Sequence, residues 1–276
     1  MSPAPPRIAQ PARWRPPPAI AGSVGLHCLA GLGALLRPEA WPLAAGAIAA
    51  NHALLTAAGL WPCSSWLGPN LTRLPEASRA RGEIAITLDD GPDPEVTPAV
   101  LDLLEERRAL ATFFCIGERA RRHAELCREI ARRGHSLENH SHGHLHRFAF
   151  LTPGGLRREI AEAQETIGEL AGTRPRFFRP PAGLRNPLLD PVLHGLDLRL
   201  ATWTRRGFDT RNGDAARVAA RLTCGLAAGD ILLLHDGHAA RTANGRPVVL
   251  EVLPRVLDAI AQDGLAPVTL RHAVDT

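Results

Sequence analysis

Residues 83–93 read Glu-Ile-Ala-Ile-Thr-Leu-Asp-Asp-Gly-Pro-Asp and join a short apolar run to a turn. An apolar run that ends in turn residues predicts a buried strand of a parallel sheet. Asp89 and Asp90 fall at the carboxyl end of that strand, where α/β folds place their chemistry. Because Asp-Asp-Gly-Pro is also common in ordinary turns, the two carboxylates become candidate site residues only in combination with other segments.

The chain beyond residue 82 alternates predicted strands with amphipathic helices. Such alternation is typical of an α/β fold with a parallel sheet and outer helices. The predicted strands are residues 83–88, 111–116, 136–139, 177–179, 199–203, 230–235 and 267–270, and the predicted helices are residues 97–107, 118–133, 155–171, 214–227 and 248–263.

A second polar segment, residues 139–144, follows the third predicted strand and reads Asn-His-Ser-His-Gly-His. His140 and His144 share a face if this segment is helical or tightly turned, so both rings can reach one ion. His142 and His146 have the same spacing, and spacing alone does not choose between the pairs. Two imidazoles and a carboxylate predict a divalent-metal site, and the spare carboxylate beside it is a candidate base for hydrolysis of an amide or ester.

Two further segments complete a pattern: residues 177–183 read Phe-Phe-Arg-Pro-Pro-Ala-Gly, and residues 231–235 read Ile-Leu-Leu-Leu-His. With them the chain resembles the NodB-type polysaccharide deacetylases, carbohydrate esterase family four. The motifs of that family occur in order as Thr-Leu-Asp-Asp-Gly, His-Ser-x-x-His, Arg-x-Pro-x-Gly and Leu-x-Leu-His, within residues 83–270. The resemblance implies a distorted, incompletely closed (β/α) barrel of about seven parallel strands.

The resemblance also implies roles for single residues. Asp89 matches the catalytic base, Arg179 the arginine that holds this base, and His235 the general acid that protonates the leaving amine. The family's oxyanion is met by the metal and by a backbone N–H, which here falls at Ala182. The implied metal ligands are Asp90, His140 and His144, and the implied substrate-binding residues are Pro181, Ala182, Trp203 and Leu232, of which Leu232 helps to form the acyl pocket.

Two motifs depart from the family pattern. The third usually carries an aromatic residue, commonly Tyr, where this chain has Ala182, and the chain contains no Tyr. A backbone N–H does not depend on its side chain, so we expect the oxyanion contact to survive and the sugar-facing surface to widen. A further family motif, typically Asp-x-x-Asp-Trp after a tryptophan, lies between the Arg-x-Pro-x-Gly and Leu-x-Leu-His motifs, and here it keeps one acid in residues 203–210 and loses the terminal Trp. Asp209 is the candidate to orient His235, and a plain surface carboxylate is the alternative.

These residues predict metal-dependent hydrolysis of the N-acetyl group of an amino sugar in a poly- or oligosaccharide, with release of acetate. We expect Zn²⁺, with Co²⁺ or Ni²⁺ able to substitute, because mixed nitrogen and oxygen sites are selected by geometry and supply. Two alternatives remain at this level: a deformylase or deacetylase of a polyprenyl-linked sugar, and a catalytically silent carbohydrate-binding protein that kept the fold.

Composition excludes other classes of function. The chain has 276 residues, 45% of them hydrophobic, enough for one large α/β domain and an appendage. All 32 basic residues are Arg, which excludes a Schiff-base lysine and a P-loop lysine. The chain does not interleave aromatic and basic residues, so the sequence does not predict nucleic-acid binding. The five cysteines contain no Cys-x-x-Cys pair, so they predict neither a disulfide framework nor a thiolate metal site.

The first 78 residues form a different kind of segment, and we expect a NodB-like domain over residues 79–276. Ala19 to Leu36 and Ala40 to Trp61 carry no charge, and each is about long enough to cross a membrane. They predict a helical hairpin in the bacterial inner membrane rather than a cleaved signal peptide. A helical pair that packs on the domain or lies in the interface is the alternative. Arg7, Arg13 and Arg15 favour a cytoplasmic N-terminus, whereas a cell-wall polymer requires the outside face, so the side of the catalytic domain stays open.

Overall fold

The computed structural model describes residues 13–276. Two long helices come first and are followed by alternating strands and helices, as the sequence pattern predicts. The helices are α1 (Pro18–Leu36), α2 (Trp41–Leu60), α3 (Glu76–Ala80), α4 (Thr97–Glu106), α5 (Gly117–Arg122), α6 (Ala124–Arg132), α7 (Pro153–Ala171), α8 (Leu189–His194), α9 (Ala215–Thr223), α10 (Val249–Gln262) and α11 (Leu270–Asp275). The strands are β1 (Glu83–Asp89), β2 (Ala111–Cys115), β3 (Ser136–Asn139), β4 (Phe177–Phe178), β5 (Arg199–Leu200), β6 (Arg205–Arg206), β7 (Ile231–His235) and β8 (Ala266–Pro267).

Seven strands form one parallel path in the order β5-β4-β3-β2-β1-β7-β6, and β8 pairs with the start of β1. This arrangement confirms the predicted α/β class and the incompletely closed barrel of about seven parallel strands. β1 lies centrally, with Asp89 opposite Phe114 of β2 on one side and His235 of β7 on the other. The parallel register therefore brings Asp89 and His235 to the same carboxyl edge of the sheet.

Successive side chains of β1 point to opposite faces of the sheet, and this divides the core into two parts. Ile84, Ile86 and Leu88 pack in the larger cluster with residues of α4, α9 and α10. Ala85 faces the inside of the curved sheet, in a cluster that includes Phe114 and is joined by residues of α11. Every residue of β1 is buried, so this strand is held on both faces and its carboxyl end is rigidly placed.

Several predicted boundaries differ from the structure. The helix predicted over residues 118–133 is interrupted at His123, whose φ of −119° and ψ of 50° are not helical, so α5 and α6 are separate. The strand predicted over residues 199–203 stops at Leu200, and a further short strand occupies Arg205–Arg206. The last predicted strand is only Ala266–Pro267. These short strands pair over two residues each, too few for periodicity to reveal.

α1 and α2 form an antiparallel hairpin with largely exposed apolar surfaces. The stretches Pro18–Leu36 and Pro38–Leu60 are long and apolar enough to cross a membrane. Only 6% and 17% of their most apolar parts are buried within the protein. Polar groups inside the hairpin pair with one another: Asn51 donates to Ser23 Oγ at 2.7 Å, and the Nε2 atoms of His27 and His52 lie 3.2 Å apart.

The segment between the hairpin and β1 packs against the sheet. Leu71 forms a β-bridge with Ala201, and Leu74 joins the cluster inside the curved sheet. Leu67, 1% exposed, packs instead with Leu55 and Ala58 of α2. The domain boundary after residue 78 remains a prediction. Residues 61–78 nevertheless contribute to the core of the part that we assign to the catalytic domain.

Leu74→Ala should destabilise the protein by about 2–5 kcal/mol, since this side chain is 3% exposed and its removal leaves a cavity. Leu54→Ala, on the hairpin and 57% exposed, is the matched control and should change the free energy of unfolding by less than about 0.5 kcal/mol. Denaturant unfolding of the full chain followed by tryptophan fluorescence measures both. Equal effects of the two substitutions would contradict the packing of this segment on the sheet.

Candidate active site

A cavity of about 260 Å³ opens at the carboxyl edge of the sheet, where β1, β3 and β7 end. It brings together residues from all four sequence motifs. The residues that line it are Asp89, Asp90, His140, His144, His146, Ala182, Gly183, Trp203, Arg206, Thr210, Arg211, Leu233, His235 and His238.

Asp89 is held by a fully buried arginine. Arg179 Nη1 donates to Asp89 Oδ1 at 2.6 Å and to Thr87 Oγ1 at 2.9 Å. The remaining guanidinium nitrogens donate to the carbonyl oxygens of Ala201, at 3.1 Å, and of Thr202, at 2.6 Å. Arg179 does not contact Asp89 Oδ2, which lies 3.9 Å from Nε2 of His140. The arginine therefore fixes the carboxylate in place and leaves one of its oxygens available in the cavity.

Asp90, His140 and His144 form a compact cluster of candidate ligands. Asp90 turns out of the strand with a φ of 72°, so its carboxylate also reaches the cavity. One ligand atom from each residue lies within 4.8 Å of the others. The Nε2 atoms of His140 and His144 lie 3.2 and 3.1 Å from Asp90 Oδ1, which is buried and accepts no well-directed hydrogen bond. Three donor atoms therefore converge without satisfying one another.

Electrostatics keeps the Asp90 carboxylate ionised. Burial alone raises its pKa, but the close imidazoles of His140, His144 and His238 outweigh burial and hold the pKa well below its ordinary value. His140 is oriented from behind, because its Nδ1 lies 2.7 Å from the carbonyl oxygen of Arg179. This contact assigns the Nδ1–H tautomer and leaves Nε2 free to bind an ion.

The two histidine pairs that share a four-residue spacing lie in different surroundings. Residues 140–144 form a loop rather than a helix, with Ser141 and His144 at φ values of 64° and 48°. His142 points away from the cluster, with its Nε2 2.6 Å from Arg121 and 3.1 Å from Glu162. His146 lines the cavity but, within residues 13–276, belongs to no group of converging ligand atoms. The geometry therefore groups the first pair with Asp90.

His235 is held by Asp209, which is fully buried rather than at the surface. Asp209 Oδ1 lies 2.8 Å from His235 Nδ1, and Asp209 Oδ2 accepts from the backbone N–H of His235 at 2.7 Å. Burial lowers the pKa of His235, but the charge and hydrogen bond of Asp209, together with the charges of Asp89 and Asp90, raise it to about 8. Asp209 therefore favours the protonated form of this imidazole.

The four predicted substrate-binding residues do not all reach the cavity. Ala182 and Trp203 line it, whereas Pro181 is buried beneath the short turn that it begins. Leu232, which we expected to form the acyl pocket, packs in the larger core cluster, and Leu233 lines the cavity instead. The reason is strand alternation: Leu233 shares the face of His235, two residues further on.

Ala182 and Gly183 form a tight turn in the left-handed region, with φ values of 55° and 76°. A Cβ on Gly183 would lie 2.6 Å from the ring of Trp203 and 2.7 Å from Pro62. Glycine is therefore required there both for its backbone angle and for space. This turn places Ala182 at the rim of the cavity.

Sequence reasoning missed a further histidine in the cavity. His238 Nδ1 lies 3.1 Å from Asp90 Oδ2, and its Nε2 lies 2.7 Å from Arg119. Arg119 also donates to the backbone carbonyl of Asp90 at 3.0 Å. The position of His238 three residues after His235 was the available signal, but no periodicity predicts which side chain of a loop turns toward the site. Arg206 and Arg211 were missed for the same reason.

Comparison with known proteins gives consistent results. The sequence model of the family described as "Polysaccharide deacetylase" matches residues 76–201. A peptidoglycan-N-acetylglucosamine deacetylase of Bacillus cereus is 33% identical over 189 residues, covering 68% of this chain and 85% of the relative. A chitooligosaccharide deacetylase of Azorhizobium caulinodans is 32% identical, covering 67% of this chain and 91% of the relative.

Among solved structures, the Bc1960 peptidoglycan N-acetylglucosamine deacetylase, in complex with 4-naphthalen-1-yl-N-oxidanyl-benzamide, superposes with a TM-score of 0.68. It is 26% identical, and the match covers 75% of this chain and 93% of that one. Ordered motifs, fold and relatives thus agree, and the chain belongs to the polysaccharide deacetylases of carbohydrate esterase family four, hydrolases that act on amide bonds.

Proposed function

We propose that this protein hydrolyses the N-acetyl group of an amino sugar in an oligo- or polysaccharide, with a divalent metal ion bound by Asp90, His140 and His144. One observation carries the proposal. A single cavity holds the Asp90 cluster, an arginine-held carboxylate and a carboxylate-held imidazole. Those are the groups that hydrolysis of an unactivated amide needs: a cation site, a base and an acid.

The donor set fits a divalent ion. Asp90 Oδ1 is buried without a well-directed hydrogen-bond partner, and two imidazole nitrogens approach it. A carboxylate with two imidazoles suits Zn²⁺, and Co²⁺ or Ni²⁺ can occupy such a site. When bound, the ion supplies positive charge that acidifies water and polarises the carbonyl group of the substrate.

Asp89 removes a proton from the attacking water. Arg179 holds one carboxylate oxygen at 2.6 Å, which fixes the orientation of the base but leaves Oδ2 without an arginine contact. Asp90 is the neighbouring carboxylate, and it is engaged by imidazoles rather than by Arg179. The two adjacent carboxylates therefore divide the roles of base and ligand between them.

His235 gives a proton to the nitrogen that leaves. An amine is a poor leaving group, so it must be protonated as the C–N bond breaks. Asp209 holds His235 in the tautomer that carries a proton on Nδ1 and stabilises the imidazolium form. The products are acetate and a free amino sugar.

The walls of the cavity fit an acetamido group. The backbone N–H of Ala182 is the donor that we assign to the developing oxyanion. Leu233 offers an apolar surface for the acetyl methyl group, and Trp203 offers a flat surface for a sugar ring. Relatives named for peptidoglycan N-acetylglucosamine and for chitooligosaccharides support N-acetylglucosamine as the sugar. The complete set of acid, base and ligand residues argues against a catalytically silent protein.

We also propose that the α1–α2 hairpin inserts into the bacterial inner membrane. Large apolar side chains along it are exposed, among them Leu29 at 72%, Leu35 at 77% and Leu43 at 79%. Arg15 precedes α1, and Arg73 follows α2 on the same side as the catalytic domain. Membrane insertion would leave these arginines at the surface next to the domain.

Mass spectrometry of chitopentaose incubated with metal-loaded enzyme tests the activity. We expect a mass loss of about 42 Da for each acetyl group that is replaced by hydrogen, and one free acetate for each such loss. Asp89→Asn should retain the metal but slow acetate release by about 100-fold or more, since it lacks the base. No acetate from wild-type enzyme with any acetylated sugar, or unchanged rates in Asp89→Asn, would contradict the proposal.

The metal site gives a second prediction with a matched control. His140→Ala should purify without stoichiometric Zn²⁺ and without activity, because one ligand of the cluster is lost. His142→Ala, two residues along the same loop, should retain the ion, because His142 contacts Arg121 and Glu162 instead. Elemental analysis of both variants decides the matter. Retention by His140→Ala with loss in His142→Ala would show that the wrong histidines had been assigned.

Asp209→Asn should shift the pH dependence of turnover. The pKa of His235 is raised to about 8, so its proton is present below that pH and is lost as the pH rises through it. Because Asp209 is the largest cause that raises this pKa, its neutralisation should move the alkaline limb of kcat/KM to lower pH. A pH profile on an acetylated chitooligosaccharide measures the shift. An alkaline limb that does not move would exclude His235 as the proton donor.

A further inference from the structure

A second cavity lies between the hairpin and the catalytic domain. It measures about 470 Å³, within the range of about 300–1,000 Å³ for ligand pockets. Val24 and Leu55 line it from the hairpin side, and Phe150, Leu184 and Leu188 line it from the domain side. We call this cavity the junction groove. Its lining is mostly apolar, and its hairpin wall belongs to the two helices that are long enough to cross a membrane.

Consecutive residues line the junction groove and the catalytic cavity, the cavity of about 260 Å³ that holds Asp89, Asp90 and His235. Gly183 lines the catalytic cavity, and the next residue, Leu184, lines the groove. Pro62, just beyond α2, packs against Gly183, and Cys63 donates to the carbonyl oxygen of Trp203 at 3.2 Å. The exit of the hairpin is therefore fixed against the same turn that carries Ala182, and a ligand with two parts could occupy both cavities.

The groove also contains a buried cation. Arg185 lines the groove and is only 5% exposed. Its terminal nitrogen donates to the carbonyl oxygen of Ser64, but its Nε has no hydrogen-bond partner. Among residues 13–276, it makes no ion pair within 4.0 Å of a carboxylate. The charge of Asp190 acts on Arg185, but from beyond ion-pair distance. A buried guanidinium with an unsatisfied Nε and no direct ion pair is costly, so an anionic group on a ligand would complement it, and a phosphate suits its planar donors.

From these contacts we infer that the junction groove binds the hydrocarbon chain of a lipid-linked saccharide, with the phosphate near Arg185 and the acetylated sugar in the catalytic cavity. The inference rests on the proposed deacetylase function and specifies its substrate class. The hydrocarbon chain of the lipid lies against an apolar wall that continues into the exposed face of the hairpin. The anionic linkage complements the buried guanidinium of Arg185. A neutral soluble glycan would use neither feature.

Such a substrate also removes a conflict over topology. Arginines flank the hairpin on the side of the catalytic domain, which favours a cytoplasmic location. A cell-wall polymer is absent from that face, whereas a lipid-linked saccharide lies in the membrane surface itself. The domain would then meet its substrate without leaving the side that its charges favour.

The first test compares two substrates that carry the same sugar. Full-length enzyme in phosphatidylcholine nanodiscs is given N-acetylglucosaminyl diphospho-undecaprenol or soluble chitopentaose. Val24→Trp and Leu188→Trp fill the groove from opposite walls, and Leu35→Trp, exposed on α1 outside the groove, is the control. Loss of burial for a few methylene groups should raise KM for the lipid-linked substrate about tenfold in the two groove variants. Turnover of chitopentaose and all rates of the control should stay unchanged.

The second test measures binding without catalysis. A diazirine-bearing polyprenyl phosphate should label peptides that contain Val24 and residues 184–188, and the corresponding uncharged polyprenol should label them about tenfold less because it lacks the charged contact. Arg185→Gln should abolish that difference between the two probes. Labelling spread evenly along the hairpin, or equal labelling by phosphate and alcohol in wild-type protein, would overturn the inference.

The outcomes separate this inference from the proposed function. Selective labelling of the groove without hydrolysis of either sugar would support the lipid site and reject the deacetylase activity. Hydrolysis of chitopentaose, together with lipid-linked turnover that is unaffected by Val24→Trp and Leu188→Trp, would keep the activity and reject the lipid site.

Discussion

The buried guanidinium of Arg179 is the contact on which the catalytic cavity depends. It reaches from the end of β4 to Asp89 and Thr87 of β1, and it also donates to the backbone of Ala201 and Thr202 beyond β5. One side chain thus ties together strands that are not neighbours in the sheet. A buried charge is tolerated only when its donors are satisfied, and the short strands around it end where they can offer those acceptors.

The same residue links the candidate base to the candidate metal ligands. Its side chain fixes Asp89, and its backbone carbonyl receives Nδ1 of His140. Asp209 acts in a similar way on the other side of the cavity, where it holds both the ring and the backbone N–H of His235. Asp89, His140 and His235 are therefore each oriented by a buried partner, which is the arrangement expected where catalysis relies on preorganised side chains.

The sequence predicted the parts of this arrangement that depend on chain order and strand ends. The apolar run of β1, its terminal carboxylates and the order of the motifs sufficed for the fold class and for the family. The sequence did not reveal contacts that depend on which face of a strand a side chain occupies, or on the conformation of a loop. Strand alternation turns Leu233, rather than the predicted Leu232, to the cavity, and His238 lies in a loop with a left-handed φ of 57°.

The burial of Asp209 was also beyond the sequence, because its motif is degenerate and only the fold brings it beneath His235. The junction groove had no sequence signal either. It arises from two walls more than 100 residues apart, each unremarkable in isolation: the face of α1 near Val24 and the loop near Leu188. Long-range packing of this kind is the part of the structure that local patterns do not encode.

A double-mutant cycle on Arg179 and Asp89, with the free energy of unfolding as its readout, tests the central claim most directly. Arg179→Met alone should destabilise the protein by about 3–5 kcal/mol, because it leaves a buried carboxylate unpaired. Adding Asp89→Asn should recover part of that loss, giving a coupling energy well above about 0.5 kcal/mol. Additive effects, with no recovery in the double variant, would contradict the claim that this ion pair holds the cavity together.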